Sequence, residues 1–356
     1  MSTVRIPELS LVALIGASGS GKSTFARTHF KPTEVISSDY CRALVADDEN
    51  DQAATKDAFD VLYYIAGKRL AAGKLTVVDA TNVRPEDRKR LVALAREHHV
   101  LASAIVFDLP ERLLHERNES RPDRDFGPHV VRSQTQSLHR SLRGLEKEGF
   151  KVAAVLRSVE AVADVQITRE KAWNDKRDQH GPFDIIGDVH GCLDECVQLL
   201  RALGYAVAGT REAPEVIAPE GRRAIFVGDL VDRGPDSPGV LRLVMAMVAN
   251  GTALCVPGNH DVKLMKKLRG RDVKVSHGLA ETLQQLESEP DEFRRAAADW
   301  IYSLISHLVL DDGKLVVAHA GMKEQLQGRA SGAVRDFALY GETTGETDEY
   351  GLPVRF

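Results

Sequence analysis

An apolar, strand-like run, Leu9–Ile15, passes directly into Gly16-Ala-Ser-Gly-Ser-Gly21-Lys22-Ser23-Thr24, and a helical pattern follows. No other feature constrains the fold as tightly. A GxxxxGK[ST] loop needs a strand before it and a helix after it, so that backbone N–H groups and the helix dipole converge on one anion. A buried parallel strand in turn needs neighbours and helices to cover it.

The neighbours are present. Val35–Ser37, Leu75–Val78 and Ala102–Phe107 are short, apolar and bounded by turn residues. Helical patterns such as Asp57–Ala72 and Pro85–His98 lie between them. This alternation predicts a wound α/β sheet, and the weaker strands Val152–Leu156 and Val165–Ile167 close the unit. Residues 169–182 are polar and unpatterned and read as a linker. Strand-like runs then restart at Phe183–Ile186, Ala224–Val227, Ala253–Val256 and Leu315–Ala318. Helical patterns cover Leu193–Leu203, Pro238–Ala249 and a long stretch from Gly278 to Leu308. The expected domains are therefore 1–168 and 183–356, a division that suits 356 residues. The tail from Gly341 to Phe356 has no strong pattern.

Composition excludes several classes. With 47 Lys+Arg against 52 Asp+Glu, the net charge of −5 excludes a globally basic nucleic-acid binder, though not a local basic groove. No run of about 20 apolar residues spans a membrane. The first ten residues lack a signal-peptide core. Cys41, Cys192, Cys196 and Cys255 form no paired CxxC spacing and fit free thiols in a reducing cytoplasm.

Within the loop, Gly16, Ser18, Gly19, Ser20, Gly21, Lys22, Ser23 and Thr24 are the candidate phosphate cradle. Lys22 would reach the β/γ-phosphates and the Ser23 hydroxyl a Mg²⁺ ion. Asp39 follows the strand Val35–Ser37 and would accept the proton of an attacking hydroxyl. The competing structural role for Asp39 is a helix N-cap. Arg42, three residues on, would hold the acceptor. Asp79, at the end of Leu75–Val78, is equally a metal support or a cap. Seven arginines lie between Glu111 and Arg143, and Arg117 and Arg121 share a face at i,i+4 spacing. Such pairs clamp phosphoryl groups, and Asp125–Pro128 reads as the loop of a lid.

The second half delivers a different chemistry to its strand ends. Asp188 and His190 follow Phe183–Ile186, and Asp229, Asp232 and Arg233 follow Ala224–Val227. Asn259, His260 and Asp261 follow Ala253–Val256, and His319 follows Leu315–Val317. Mixed O/N donors suit Mn²⁺, Fe, Ni²⁺ or Zn²⁺ better than Ca²⁺. Asp188, His190 and Asp229 would hold one ion, and Asp229, Asn259 and His319 another, with Asp229 shared. His260 is placed as general acid and Arg233 as a phosphate clamp, with Asp232 orienting one of them.

Together, Gly16–Thr24, Ser37-Ser-Asp39-x-x-Arg42, Val78-Asp-Ala-Thr-Asn82 and Arg117-x-x-x-Arg121-x-x-Arg124 resemble the kinase module of bacterial polynucleotide kinase-phosphatase, an RNA end-healing family. The motifs from Asp188 to His319 are similar to the calcineurin-like metallophosphoesterases, and their order after a kinase module fits the same family. The resemblance implies a P-loop parallel sheet with flanking helices and a helical lid, followed by a double β-sheet flanked by helices. It implies ATP and Mg²⁺ for the first module and two Mn²⁺- or Ni²⁺-type ions for the second. Lys22, Asp39, Arg117, Arg121, Arg233 and His260 would be catalytic, and Arg42 would meet the substrate. The implied reactions are phosphorylation of 5′-OH ends and removal of 3′-phosphate or 2′,3′-cyclic phosphate. The implied partners are RNA or DNA ends and ATP, with a ligase module, an RNA-repair protein or a second copy of the chain, in the cytoplasm and away from membranes.

The family pattern ends in a Gly-His motif, yet no histidine lies between Gly321 and Phe356. The expectation is thus a weakened second metal site, a phosphatase sheet cut short at its C-terminus, and no ligase module. Two alternatives remain open at this level: a small-metabolite kinase fused to a protein or dinucleotide phosphatase, and a regulatory role for the second domain.

Overall fold

Alternation along strand Ser10–Ile15 sends successive side chains to opposite faces of a sheet, and both faces are buried. The computed structural model describes residues 2–120, 127–347 and 353–355. The chain forms two units, Met1–Ala172 with Arg329–Ser331, and Trp173–Gly328 with Gly332–Phe356.

The strands of the first unit are β1 (Thr3–Pro7), β2 (Ser10–Ile15), β3 (Val35–Ser37), β4 (Thr76–Asp79), β5 (Leu101–Phe107), β6 (Phe150–Leu156) and β7 (Gln166–Glu170). Five form a parallel sheet in the order β3-β4-β2-β5-β6, and β1 pairs β7 in parallel beside it. The helices are α1 (Lys22–His29), α2 (Ser38–Ala46), α3 (Thr55–Ala71), α4 (Pro85–Glu97), α5 (Glu111–Glu119), α6 (Pro128–Ser141), α7 (Leu145–Glu148) and α8 (Val159–Asp164). Leu11, Ala13 and Ile15 pack with Leu62, Ala66, Leu91 and Ala95 of α3 and α4. Val12 and Leu14 pack on the opposite side with Phe25 and Phe30, and with Val4 and Ile6 of β1. Strand order reverses around β2, so its C-terminal end faces a crevice where ligands bind in such sheets.

The second unit contains β8 (Asp175–Lys176), β9 (Phe183–Ile186), β10 (Ala206–Gly209), β11 (Pro214–Ile217), β12 (Arg223–Phe226), β13 (Ala253–Cys255), β14 (His307–Leu310), β15 (Leu315–Ala318), β16 (Thr343–Thr347) and β17 (Pro353–Arg355). Its helices are α9 (Leu193–Ala202), α10 (Ser237–Ala249), α11 (Asn259–Leu268), α12 (Leu279–Glu287), α13 (Asp291–Ser303) and α14 (Gly332–Tyr340). The parallel sheet β13-β12-β9 and the sheet β15-β14-β8 share an apolar cluster of Ile225, Val256, Leu308, Leu310 and Val317. Ala224 and Phe226 turn the other way and pack with Leu200, Val240 and Leu241 of the helices. This is the expected α/β double sheet flanked by helices.

Three local expectations are corrected. Residues 169–182 are not a simple linker: Arg169 and Glu170 pair with β1, Arg169 forms an ion pair with Glu34 at 2.8 Å, and β8 pairs with β14. As expected, Val152–Leu156 and Val165–Ile167 fall at the end of the first unit, in β6 and largely in β7, which joins β1 rather than the five-stranded sheet. The helix expected from Gly278 to Leu308 is two helices followed by a strand. Leu304 leaves the helix in extended conformation (ψ 137°), and His307–Leu310 pairs antiparallel with Leu315–Ala318. The tail holds a strand pair, β16 with β17. All four cysteines are free thiols. Among the described residues, no helix is long and apolar enough to cross a membrane.

Candidate active sites

In the first unit the loop between β2 and α1 is held from several sides. Gly21 caps α1 at φ 88°, a left-handed conformation that glycine adopts without Cβ strain. The Gly16 amide donates to the Thr81 carbonyl at 2.9 Å, which ties the loop to the end of β4. Lys22 is buried, and its Nζ donates to the Gly16 and Ala17 carbonyls at 2.8 and 3.1 Å. Arg117 of α5 reaches the Gly19 carbonyl at 3.4 Å.

Two residues absent from the sequence reading also grip the loop. Asn118 Nδ2 donates to the Ser18 carbonyl at 3.0 Å, and the Ser18 amide donates to Gln134 Oε1 at 2.8 Å. Asn118 and Gln134 belong to α5 and α6, the helices on either side of the expected lid loop. Their only signal in the sequence was proximity to the arginines. Arg121 and Arg124 lie outside the described residues, as does Asp125 of the expected lid loop.

At the end of β3, Ser37 is the N-cap of α2, its hydroxyl accepting from the Tyr40 amide at 3.4 Å. The cap role considered for Asp39 is thus taken by another residue. Arg42 is buried, and its Nη1 donates to Asp39 Oδ1 at 3.0 Å and to the Glu49 carbonyl at 2.7 Å. Arg42 therefore orients the carboxylate. Asp79 ends β4 beside β2, in register with Leu14, and is buried.

In the second unit the strand ends converge. Asp229 is buried, and its Oδ2 lies 3.9 Å from His190 Nε2, 4.0 Å from His260 Nε2 and 3.5 Å from His319 Nε2. Asp188 Oδ2 lies 3.8 Å from His190 Nε2, and Asp188 Oδ1 lies 3.9 Å from His319 Nδ1. The ligand atoms group as His190, Asp229 and His260, and as Asp188, Asp229 and His319. Asp229 is common to both groups. The grouping differs in bringing Asp188 to His319 and in including His260.

The local backbone is unusual. His190, Asp229, Asp232 and Arg233 have positive φ values of 47°, 47°, 73° and 67°. Each costs of order 1–3 kcal/mol in a non-glycine residue, a strain that clusters at functional sites. Gly258 is required for close approach, because a Cβ there would collide with Asp229 Oδ1. Asp261 is fully buried and accepts from the Leu230 and Gly258 amides at 2.9 and 2.8 Å, bracing two of the ligand loops. Burial, and then the neighbouring Asp229 charge, push its carboxyl up to about 7. Arg233 is exposed beside the cluster.

The donors fit metal ions. His190 Nδ1 lies 2.9 Å from the Val231 carbonyl and His319 Nδ1 lies 2.8 Å from the Val227 carbonyl. A carbonyl only accepts, so each Nδ1 carries the proton and each Nε2 presents a lone pair. His190 Nε2 is buried without a hydrogen-bond partner, an arrangement that costs about 1–3 kcal/mol unless something else occupies the lone pair. His319 Nε2 faces Asn259 Oδ1 at 3.0 Å, two acceptors that a cation between them reconciles. His260 is oriented alike, with Nε2 toward Asp229, but its Nδ1 lies 2.6 Å from a carboxylate oxygen, Asp232 Oδ2, instead of a carbonyl.

Comparison with known proteins recognises the two domains that carry these residues. Residues 11–145 match the model of the AAA domain, and residues 181–341 match that of the calcineurin-like phosphoesterases. The chain is 41% identical over 177 residues to bis(5′-nucleosyl)-tetraphosphatase PrpE [asymmetrical] of Anoxybacillus flavithermus, covering 49% of this chain and 71% of that protein. Among solved structures, a putative diadenosine tetraphosphatase is 28% identical with a TM-score of 0.30, covering 43% of this chain and 56% of that one. A structure of the Pnkp1/Rnl/Hen1 RNA repair complex is 17% identical with a TM-score of 0.35, covering 71% of this chain and 81% of that one. The expected pairing of a P-loop kinase-type domain with a metallophosphoesterase stands, and the chain belongs to the calcineurin-like phosphoesterase family, carrying an AAA-type P-loop domain ahead of its phosphoesterase unit.

Proposed function

We propose that the chain is an end-healing kinase-phosphatase. Its first unit transfers the ATP γ-phosphate to a 5′-OH polynucleotide end, and its second removes a 3′-phosphate or opens and removes a 2′,3′-cyclic phosphate. The observation that carries this reading is Asp39, held by Arg42 in the first turn of α2, directly after β3 on the P-loop edge of the sheet. That is where a hydroxyl acceptor must meet a carboxylate. An NTPase needs a water-positioning group there instead.

In the kinase, the 5′-oxygen attacks the γ-phosphorus and its proton passes to Asp39. The bond to the β-phosphate oxygen breaks, and its electron pair leaves with ADP. Gly16, Ser18, Gly19, Ser20, Gly21 and Thr24 cradle the phosphates, and Lys22 exchanges its carbonyl partners for phosphate oxygens. Arg117 and Arg121 neutralise the charge that develops on the transferred group. Ser23 would hold Mg²⁺.

In the phosphatase, Asp188, His190, Asp229, Asn259 and His319 would hold divalent ions of the Mn²⁺ or Ni²⁺ type. Bound there, the ions supply water activation and charge neutralisation. Arg233 binds a nonbridging oxygen. Water adds to phosphorus and releases a proton to solvent, the ester P–O bond breaks, and the leaving oxygen takes its proton from Nε2 of the His260 imidazolium, whose Nδ1 proton stays on the Asp232 side.

A second reading is favoured by the 41% identity to PrpE: that the phosphoesterase unit splits dinucleoside tetraphosphates. One experiment separates the two. RNA with a 5′-OH and a 2′,3′-cyclic phosphate is incubated with ATP and Mn²⁺, and both ends are read while diadenosine tetraphosphate competes. End healing predicts a 5′-phosphate and a 3′-OH at rates matching or exceeding tetraphosphate cleavage. Rapid cleavage with untouched RNA ends overturns it.

A further inference from the structure

Behind His260 lies a buried hydroxyl that the roles above leave unassigned. Asp232 Oδ2 meets His260 Nδ1 at 2.6 Å, while Asp232 Oδ1 accepts from Thr282 Oγ1 at 2.8 Å. Asp232, Ser237 and Thr282 are all fully buried. Thr282 comes from α12, fifty positions further along the chain than Asp232.

The proton directions in this network follow from donor arithmetic. Thr282 has one hydroxyl proton, and a carboxylate can only accept it. The Thr282 oxygen therefore accepts from its other two neighbours, the Asp232 amide at 3.1 Å and the Ser237 hydroxyl at 3.1 Å. The Asp232 amide is shared with Ser237 Oγ at 3.1 Å. Every polar atom is then used, and the carboxylate plane has one orientation.

The same helix grips the turn around Asp232 twice more. Gln285 accepts from the Ser237 amide at 2.8 Å and donates to the Gly234 carbonyl at 3.0 Å. Gly278, just before α12, is packed so tightly that a Cβ would lie 2.5 Å from the Arg233 amide. Thr282 differs from these contacts in touching the carboxylate itself. It is also β-branched, with few rotamers to lose.

We infer that Thr282 is a positioning residue for phosphoester cleavage: through Asp232 it aims His260 Nε2 at the leaving oxygen. This rests on the general-acid reading of His260 given above. In the step it serves, a water oxygen bonds to phosphorus and gives its proton to solvent, the ester P–O bond breaks with its electron pair on the leaving oxygen, and the Nε2 proton of the His260 imidazolium moves to that oxygen.

The test uses the full chain loaded with Mn²⁺ and two substrates, a nucleoside 3′-monophosphate and p-nitrophenyl phosphate. The first leaving group needs a proton; p-nitrophenolate does not. T282V is expected to lower kcat roughly 30-fold on the nucleotide and less than about 3-fold on the nitrophenyl ester, since general acids contribute about 10²–10⁴-fold. KM and bound metal should be unchanged, and T282S should restore kcat to within about 3-fold of wild type. Equal losses on both esters, or no loss, overturn the inference. If T282V does not fold, T282S and T282A carry the same comparison. H260A keeps the two readings apart. Equal losses from H260A on both esters remove the general-acid role itself. A selective loss from H260A with none from T282V removes only the role of Thr282.

Discussion

The two candidate sites are built by opposite means. The P-loop site is built on one contiguous loop, where the buried Lys22 donates to loop carbonyls and Asn118 and Gln134 brace the loop at Ser18. The phosphoesterase site takes side chains from four separate strand ends, and there His190 Nε2 is left without a hydrogen-bond partner. The first arrangement draws its polar groups mainly from a single stretch of chain. The second gathers carboxylates and imidazoles whose lone pairs face one another, which favours a resident cation. One site therefore depends on a local loop and the other on the assembly of distant segments.

Several experiments would break or sharpen that contrast. The largest effect is expected from Asp229→Ala, which removes the ligand common to both groups. Phosphoester hydrolysis should fall by about 10³-fold or more, with loss of bound metal by elemental analysis and unchanged kinase activity. Retained metal would show a different ligand set. Lys22→Ala should lower phosphate transfer to a 5′-OH oligonucleotide by roughly 10²–10³-fold while hydrolysis persists. Loss of both activities in a folded protein would mean that the sites are not independent.

A smaller and more selective effect is expected from Asp39→Asn. Transfer should drop about 10²-fold with ATP affinity preserved by calorimetry, and unaltered turnover would remove Asp39 as base. The smallest effect is on stability. His307 is buried in β14, between Asn174 Nδ2 at 3.0 Å and the Gly328 amide at 2.9 Å. Burial pulls its pKa down to about 4 from 6.5, so the folded state resists protonation. The unfolded chain binds the proton first, so stability holds above about pH 6.5 and declines toward pH 4. By pH 5.5 the loss is about 1 kcal/mol, and denaturant unfolding of His307→Gln should lack this decline.

Legibility in the sequence follows the same contrast. The strand-turn-helix around Gly16–Thr24 was readable because every determinant lies within one short window. The ligand residues at positions 188 to 319 were readable because each ends an apolar run. What escaped depends on distant pairing. The two-residue strand Asp175–Lys176 has no periodic signature, and only β14 makes it a strand. The run His307–Leu310 is too short for periodicity to separate helix from strand. Asn118 and Gln134 carry no motif, and nothing local marks Thr282 as the partner of Asp232. The positive φ values at His190 and Asp229 carry no sequence signal of their own, although Asp and His tolerate that conformation better than most residues.

The clamp on Ser18 has a consequence for timing. Its amide proton ends on Gln134 Oε1 and its carbonyl on Asn118 Nδ2, so the loop that receives a phosphate is held by side chains of α5 and α6. Any excursion of those helices releases that amide to water. Deuterium uptake at Ser18 therefore acts as a clock for opening of the two helices, and nucleotide that draws them together should slow it.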